Sequence, residues 1–208
     1  MVEAMTAKDI TAKEITVKDI TERLRTVTWP VHERLHLHSV LRPLTARQPT
    51  VDGYLGAVRA LYGFIAPMEQ RLGDEAAGRV ARTPLLLADI GALDAGASAE
   101  SPLASDLPEL ITPAARLGAR WVLDGSAHGG RAMLPHLQRT LAVSPDHGAS
   151  YFASAGIDLK AERQSLRDLL EQSVLTEEDR AEATEAAAST FSALERWLDH
   201  VAAPSPAS

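Results

Sequence analysis

The sequence predicts an all-α fold, a single domain in which several helices pack around one core. Segments throughout the chain repeat apolar residues every three or four positions, as the buried face of a helix does. Aromatic residues make up only 4% of the chain, so its core depends on Leu, Ala, Val and Ile, of which Leu and Ala favour helices. No segment shows the apolar–polar alternation of a half-buried strand. With 208 residues, 45% of them hydrophobic, the chain is long enough for one sizeable core.

Charge and composition exclude several classes of function. The net charge of −7 argues against a general nucleic-acid-binding protein. The absence of cysteine excludes disulfides, thiolate catalysis and thiolate metal sites, and it suits a cytoplasmic location. No run of about 18 apolar residues is present, so no membrane insertion is expected. The N-terminus lacks the basic and apolar regions of a secretory signal.

We divide the chain into three segments. Residues 1–20 carry a five-residue repeat, TAKDI-TAKEI-TVKDI, whose period matches neither a helix nor a strand. We interpret them as a flexible or weakly helical N-terminal extension, with a docking tail as the less favoured alternative. Residues 21–202 form the helical domain, and residues 203–208 are expected to be a disordered tail.

The first two helices are predicted from apolar spacing. Leu24 and Leu35 lie on one face of the first, where Pro30 either kinks the helix or starts a new one after Thr28. The second runs from about residue 51 to residue 72, capped by Thr50 and stopped by Gly73. Its expected buried stripe consists of Val51, Tyr54, Leu55, Val58, Leu61, Tyr62 and Ile65.

Four further helices are predicted, over 83–93, 113–141, 160–173 and 176–201. Thr83 and Thr112 each precede a proline, which is typical of a cap followed by the first helical turn. Thr176 and Asp179 resemble a capping box. A loop rich in Ala, Ser, Gly and Pro spans 94–108, and a turn follows the long helix at Ser144.

Three glycines interrupt the predicted long helix within residues 121–131. Gly125, Gly129 and Gly130 each cost roughly 1 kcal/mol relative to alanine, so some interaction should offset them. Gly125 and Gly129 are four residues apart and share a face. That bare face allows close packing against another helix, which spacing alone favours, or close approach of a flat ligand.

Three histidines lie within seven residues of the first helix. His32 and His36 share a face and have the spacing of a metal chelate, although no carboxylate motif supports a zinc site. A neutral imidazole is also a common axial ligand of heme iron. For any one of the three histidines alone, including His38, an ordinary surface or core position is the better interpretation.

Four segments together resemble the heme oxygenases. Residues 24–32, with Thr28-Trp-Pro-Val-His32, are similar to the family's first-helix motif, and residues 61–69 to its second-helix segment. Residues 125–130 resemble the glycine-rich distal helix, and residues 187–191 the start of the last helical segment. The similarity covers about residues 22–199 in the family's order and is greatest to the bacterial branch. It implies a heme oxygenase-like multi-helix bundle.

The resemblance assigns roles to particular residues. His32 falls at the proximal iron ligand, and Arg25, seven residues earlier, at the basic residue that meets a heme propionate. Arg163 and Arg167 match a basic pair on a later helix that reaches the propionates. For each arginine considered without the family, a solvated surface charge is the better interpretation. Gly125, Gly129 and Gly130 would bring the distal helix close to the heme.

The sequence departs from the family pattern at two positions, and a third residue is unusual. His36 replaces a carboxylate that many members place four residues after the proximal histidine, where it accepts the ring N–H. Ser126 replaces an aspartate found after the first distal glycine in some eukaryotic members. His128, three residues after Gly125, is placed to point toward the heme.

The implied activity is the oxidative cleavage of heme to biliverdin, iron and carbon monoxide. Heme is then both substrate and cofactor, O2 is consumed, and Gly125, Ser126, His128 and Gly129 form the catalytic wall. Because the chain has no flavin or nicotinamide motif, electrons come from a ferredoxin, a flavodoxin or a reductase. Two alternatives are a heme sensor or carrier that holds iron between His32 and His128, and a helical scaffold for another ligand.

Overall fold

The computed structural model describes residues 7–94 and 101–203, with the backbone alone for residues 7–19 and Glu75. Residues 1–6 of the predicted extension, 95–100 of the predicted loop and 204–208 of the predicted tail lie outside the described residues. Within the described ranges there are seven α-helices, two short 3₁₀ segments and no strand, which confirms the all-α prediction.

The connections between the helices differ in length, and the longest joins α3 to α4. They are α1 (Ala7–His36), α2 (Val51–Arg71), α3 (Thr83–Leu93), α4 (Pro113–Leu141), α5 (Ser150–Ala153), α6 (Leu159–Ser173) and α7 (Glu177–Ala202). The 3₁₀ segments are Arg42–Leu44 and Gly73–Ala76. Across residues 7–94 and 101–203, no helix is long and apolar enough to cross a membrane.

Two helix starts are fixed by the threonines that the sequence singles out. The Thr50 hydroxyl oxygen accepts a hydrogen bond from the Gly53 N–H at 3.1 Å, and that of Thr112 accepts one from the Ala115 N–H at 3.1 Å. Each bond satisfies one of the four N–H groups that a helix leaves unpaired at its first turn. The starts of α2 and α4 are therefore encoded locally.

Thr176 and Thr83 behave differently from each other. Thr176 and Asp179 form the predicted capping box at the start of α7. The predicted cap at Thr83 is wrong, because α3 begins at Thr83 itself and Arg82 occupies the cap position without a side-chain bond. The Thr83 hydroxyl instead donates to Glu69 at 2.6 Å. The Thr83 side chain thus bonds to a residue of another helix and does not cap its own helix.

Helix α1 is continuous through Pro30, so no new helix begins after Thr28. The Thr28 hydroxyl donates to the Leu24 carbonyl at 2.7 Å within the same helix. The helix begins inside the repeat segment, and Ile20 and Leu24 are both fully buried. Pro30 has no N–H and so removes one backbone hydrogen bond of the helix. Tertiary packing of α1 offsets this loss and keeps the helix continuous.

The core has two parts. The larger part is built mainly from α2, α3, α4, α5 and α7, and the smaller joins the first buried residues of α1 to α4, α6 and α7. Most of the predicted stripe of α2 is buried, but Val51 is exposed and Tyr62 is half-buried. Val51 is the first residue of α2, where little of the neighbouring structure reaches.

The contact between α4 and α7 depends on Gly118. A Cβ at this position would lie 2.0 Å from the carbonyl oxygen of Ala183. No real side chain tolerates that distance, so the two helix backbones approach closely here because residue 118 has no side chain. The crossing fixes α4 relative to α7 and, with it, the residues that follow Gly118 along α4.

We expect Gly118→Ala to destabilise the protein by about 1–3 kcal/mol, because the added methyl group forces α4 and α7 apart. Gly56→Ala is the matched control: Gly56 is also inside a helix, but a Cβ there would meet nothing within 4 Å. The control should gain up to about 1 kcal/mol from helix propensity. Thermal and denaturant unfolding of the two variants measures both effects. Equal stability of the two variants would contradict the close approach at Gly118.

Candidate functional site

A cavity of about 270 Å³ lies between α1, α2, α4, α5, α7 and the first 3₁₀ segment. Its walls are mostly apolar side chains drawn from every one of these elements. They include Leu35, Leu41, Leu44, Leu61, Phe64, Ile65, Met133, Phe152, Phe191 and Leu194. A concave apolar space with a few polar groups is the usual form of a ligand site.

Aromatic residues are concentrated in this cavity. Six of the chain's nine aromatic residues line it, although aromatic residues are scarce overall. They are Trp29, Phe64, Trp121, Tyr151, Phe152 and Phe191. Large flat side chains at these positions make the cavity suitable for a planar apolar ligand. In the sequence, the clearest sign of this concentration is the adjacent aromatic pair at positions 151 and 152, which was not singled out as part of a site.

The α1 wall carries the predicted histidine. Arg25, Trp29, His32 and His36 all line the cavity, since their spacing puts them on one face of the helix. The rings of His32 and His36 lie edge to face with their centroids 4.5 Å apart, and Trp29 stacks on His32 at 5.6 Å. His38 does not line the cavity and lies 3.2 Å from Asp199 instead.

The His32 imidazole is neutral and has an unpartnered nitrogen. Burial and, next, the nearby His36 lower the pKa of His32, against a smaller opposing effect of Glu33. Its Nδ1 is buried and has no hydrogen-bond partner among the described residues. His36, four residues on, supplies no bond to it. A neutral ring with nitrogen lone-pair density beside a cavity is suited to binding a metal.

The opposite wall is the bare face of α4. Gly125, Gly129 and Gly130 line the cavity, and a Cβ at Gly125 or Gly129 would meet nothing within 4 Å. The interpretation of these two glycines as a tight helix–helix contact is therefore wrong; Gly118 makes that contact instead. Gly130 is more crowded, since its Cβ would lie 3.2 Å from the Phe152 ring. The space above Gly125 and Gly129 is open to a ligand.

Ser126 and His128 are placed differently on α4. Ser126 lines the cavity, and its Oγ donates to the Leu123 carbonyl at 2.6 Å. His128 is exposed and is not among the residues that line the cavity; its Nδ1 is 3.4 Å from the Asp124 carbonyl oxygen. A contact between His128 and a ligand in the cavity would need its side chain to turn inward.

The three predicted arginines are only partly brought together. Arg25 lines the cavity, whereas Arg163 and Arg167 are exposed on α6 and do not line it. Helix α6 packs beside Arg25, because Leu166 shares a buried cluster with Leu24. The two α6 arginines therefore lie on a helix adjacent to the α1 end of the cavity.

Tyr151 is a cavity residue that the sequence analysis missed. It belongs to the short helix α5, which was not predicted, and is only 3% exposed. Its hydroxyl oxygen lies 3.2 Å from Ser126 Oγ on α4. Two hydroxyl groups thus sit side by side on the wall that α4 and α5 form.

A buried cluster of charged residues holds α4 behind the cavity. Arg79 Nε donates to Asp124 at 2.7 Å, and the same guanidinium pairs with Glu69 of α2. Arg120 Nε donates to the other Asp124 oxygen at 3.1 Å. Asp124 immediately precedes Gly125, so these ion pairs fix the position of the glycine face relative to α2.

Two buried glutamates on this side of the molecule, Glu69 and Glu162, are ionised in the folded protein. Burial on its own raises the pKa of Glu69, but the charge of Arg79 and hydrogen bonds from Arg82, Thr83 and Arg79 outweigh it and hold the pKa below its usual range. The pKa of Glu162 is lowered against burial in the same way, mainly by Arg82. Ionised Glu69 and Glu162 therefore stabilise the fold at neutral pH.

We expect the free energy of unfolding to fall as the pH drops below about 4.3, the ordinary pKa of a glutamate, because the unfolded chain then binds protons that folded Glu69 does not. Glu69→Gln should make this dependence shallower and should destabilise the protein at pH 7, since the charge of Arg79 loses a partner. Denaturant unfolding between pH 3 and pH 7 measures both. Glu178→Gln, an exposed position of α7, is the control, and an equal change in slope there would contradict the expectation.

Comparisons with known proteins place this arrangement in a known fold. No protein-family model matches the chain, and no curated protein matches it in sequence. Solved structures do match. Heme oxygenase from Leptospira interrogans is 17% identical, with a TM-score of 0.67, and the match covers 87% of this chain and 98% of that one. Heme oxygenase-1 from the cyanobacterium Synechocystis, in complex with heme, is 16% identical, with a TM-score of 0.66, and the match covers 88% of this chain and 92% of that one. The chain therefore has the heme oxygenase fold.

Proposed function

We propose that this protein is a heme oxygenase, which cleaves heme to biliverdin, iron and carbon monoxide with O2. The observation that carries the proposal is that His32, a neutral imidazole, and the open glycine face of α4 line one apolar cavity. The Synechocystis protein, which has the same fold, was solved with heme. The electrons would come from an external ferredoxin, flavodoxin or reductase, and the absence of cysteine suits the cytoplasm as the compartment.

The residues present fit heme on three counts. A neutral imidazole at His32 would bind the iron. The aromatic and aliphatic walls would take the apolar porphyrin ring, with the backbone at Gly125 and Gly129 close to its other face. Arg25 at the cavity, together with Arg163 and Arg167 on the neighbouring helix, would hold the propionates by charge-assisted hydrogen bonds.

The bound heme supplies the oxygen and electron chemistry, and the protein supplies position and environment. His32 holds the ligand from the α1 side. Gly125 and Gly129 leave open space on the α4 side, and the apolar walls would reduce the contact of the ligand with water. Ser126 Oγ, whose hydrogen is bonded to the Leu123 carbonyl, can accept a hydrogen bond from an ordered water at this wall, and that water could deliver a proton.

We expect His32→Ala to abolish the imidazole-ligated spectrum of the ferrous heme complex, with recovery when free imidazole is added. The reason is that His32 lines the cavity and that burial lowers the pKa of its ring, which leaves a neutral imidazole to bind the iron. A hemin titration followed by absorbance, and then reduction in air with ascorbate or a ferredoxin system, tests both binding and turnover. His38→Ala, outside the cavity, is the control. Unchanged spectra in His32→Ala would exclude it as the ligand and make His36 the next candidate.

The alternative function is a heme sensor or carrier that holds iron between His32 and His128. We expect wild type and His128→Leu to show the same resting ferric spectrum, with water or hydroxide on the iron, and both to form biliverdin, because His128 does not line the cavity. Absorbance spectra before and after reduction make the comparison. A wild type that is inert and ligated by two histidines, with turnover only in His128→Leu, would identify the native chain as a heme binder.

A further inference from the structure

Four hydroxyl-bearing side chains line the cavity, and one of them differs from the others. Thr28, Thr45 and Ser126 each donate their hydroxyl hydrogen to a backbone carbonyl three or four residues earlier in the chain. Tyr151 makes no such bond: the contact of its hydroxyl is with Ser126 Oγ. Tyr151 is therefore the cavity hydroxyl whose hydrogen is not committed to the backbone.

The Leu123 carbonyl determines which of the two hydroxyls, Tyr151 or Ser126, donates the hydrogen bond between them. Ser126 has one hydroxyl hydrogen, and at 2.6 Å it is given to the Leu123 carbonyl oxygen, which can only accept. The Tyr151 hydroxyl must then be the donor to Ser126 Oγ. At 3.2 Å this bond is long for two oxygen atoms, which usually approach to about 2.7–2.8 Å. A stronger acceptor in the cavity would compete with Ser126 for the Tyr151 hydrogen.

Tyr151 also keeps its proton. Burial raises the pKa of its hydroxyl, and this effect exceeds the opposing effect of the positive charges of Arg82 and Arg79. A neutral phenol that is 3% exposed costs free energy unless it is hydrogen-bonded. Both facts describe a hydrogen-bond donor held ready beside the cavity.

Asp89 of α3 fixes the backbone that carries Tyr151. One carboxylate oxygen accepts from the Ser150 N–H at 2.7 Å and from the Ser150 hydroxyl at 2.8 Å. The other accepts from the Tyr151 N–H at 2.9 Å. Asp89 itself is only 1% exposed. Three bonds to one buried carboxylate tie the start of α5 to α3 and so set where the Tyr151 ring enters the cavity.

We infer that the Tyr151 hydroxyl is the donor that binds a small anionic ligand on the α4 side of the heme, and that Asp89 is the positioning residue behind it. The inference rests on the proposed function, because it needs heme held by His32. The geometry supports it: Tyr151 lines the cavity, and its hydroxyl lies beside Ser126 on the wall that also contains Gly125. A donor in that place stabilises negative charge that develops on the ligand, and it does so without reorganisation.

Fluoride binding to the ferric heme complex tests the inference without turnover. Fluoride is a small anion that accepts hydrogen bonds strongly, so loss of one donor should weaken its binding. We expect Tyr151→Phe to raise the Kd of fluoride about 10- to 100-fold and to shift the high-spin charge-transfer band of the fluoride complex. Hemin uptake through His32 should be retained.

Tyr54→Phe is the matched control. Tyr54 is equally buried and donates its hydroxyl hydrogen to the Gly148 carbonyl at 2.7 Å, but it does not line the cavity. Its fluoride Kd should stay within about twofold of wild type. Asp89→Asn should weaken fluoride binding less than Tyr151→Phe does and should shift the same band, since the donor is displaced but present.

The hemin and fluoride measurements distinguish a failure of the role inferred for Tyr151 from a failure of the proposed heme oxygenase function. If Tyr151→Phe binds hemin through His32 and binds fluoride as wild type does, the inference is overturned and the proposed function stands. Equal weakening in Tyr54→Phe and Tyr151→Phe also overturns it, because the effect would then come from packing. A wild-type chain that takes up no hemin overturns both.

Discussion

The ion pair between Asp124 and Arg79 determines where the open wall of the cavity lies. Asp124 directly precedes Gly125, and its two oxygens are bonded to Arg79 and Arg120 in the interior. Loss of one partner from a buried pair of this kind costs about 3–5 kcal/mol, so α4 cannot rotate or slide without breaking it. Gly118, packed against the backbone of α7, applies a second constraint seven residues before Gly125. Together, the ion pairs of Asp124 and the contact at Gly118 hold α4 so that Gly125 and Gly129 face the cavity and do not pack against another helix.

The cavity itself separates two kinds of environment. Charged groups are collected behind α4, where Arg79 and Arg120 pair with Glu69 and Asp124. The space in front of α4 is apolar and largely aromatic, with His32 kept neutral by its burial. Such a site is suited to a flat apolar molecule and to a metal that takes a neutral nitrogen ligand. Its polar contacts are few enough that each one, including the hydroxyls of Ser126 and Tyr151, influences what happens inside.

The likeness to two heme oxygenases at 16% and 17% identity has a physical explanation. A helical core tolerates exchange among apolar residues of similar volume, so most of its sequence is free to change while the fold is kept. Fold alone does not determine activity, which depends on the residues at the site. The proposed function therefore depends on His32, the glycine face and the arginines, more than on the overall similarity.

The sequence by itself determined the helices whose start signals are local. Thr50, Thr112 and Thr176 bond to N–H groups within three residues, so no distant partner is needed to predict them. The sequence also identified His32 and the glycines as candidates through the resemblance. Only the tertiary structure distinguished the packed Gly118 from the open Gly125, because both have the same local signal and differ in which helix lies opposite. Tyr151 reaches Ser126 from 25 residues away, and Thr83 reaches Glu69 from 14. Residues so far apart in the chain come into contact only when the helices pack against one another. The spacing of residues within one helix does not predict which of these contacts form.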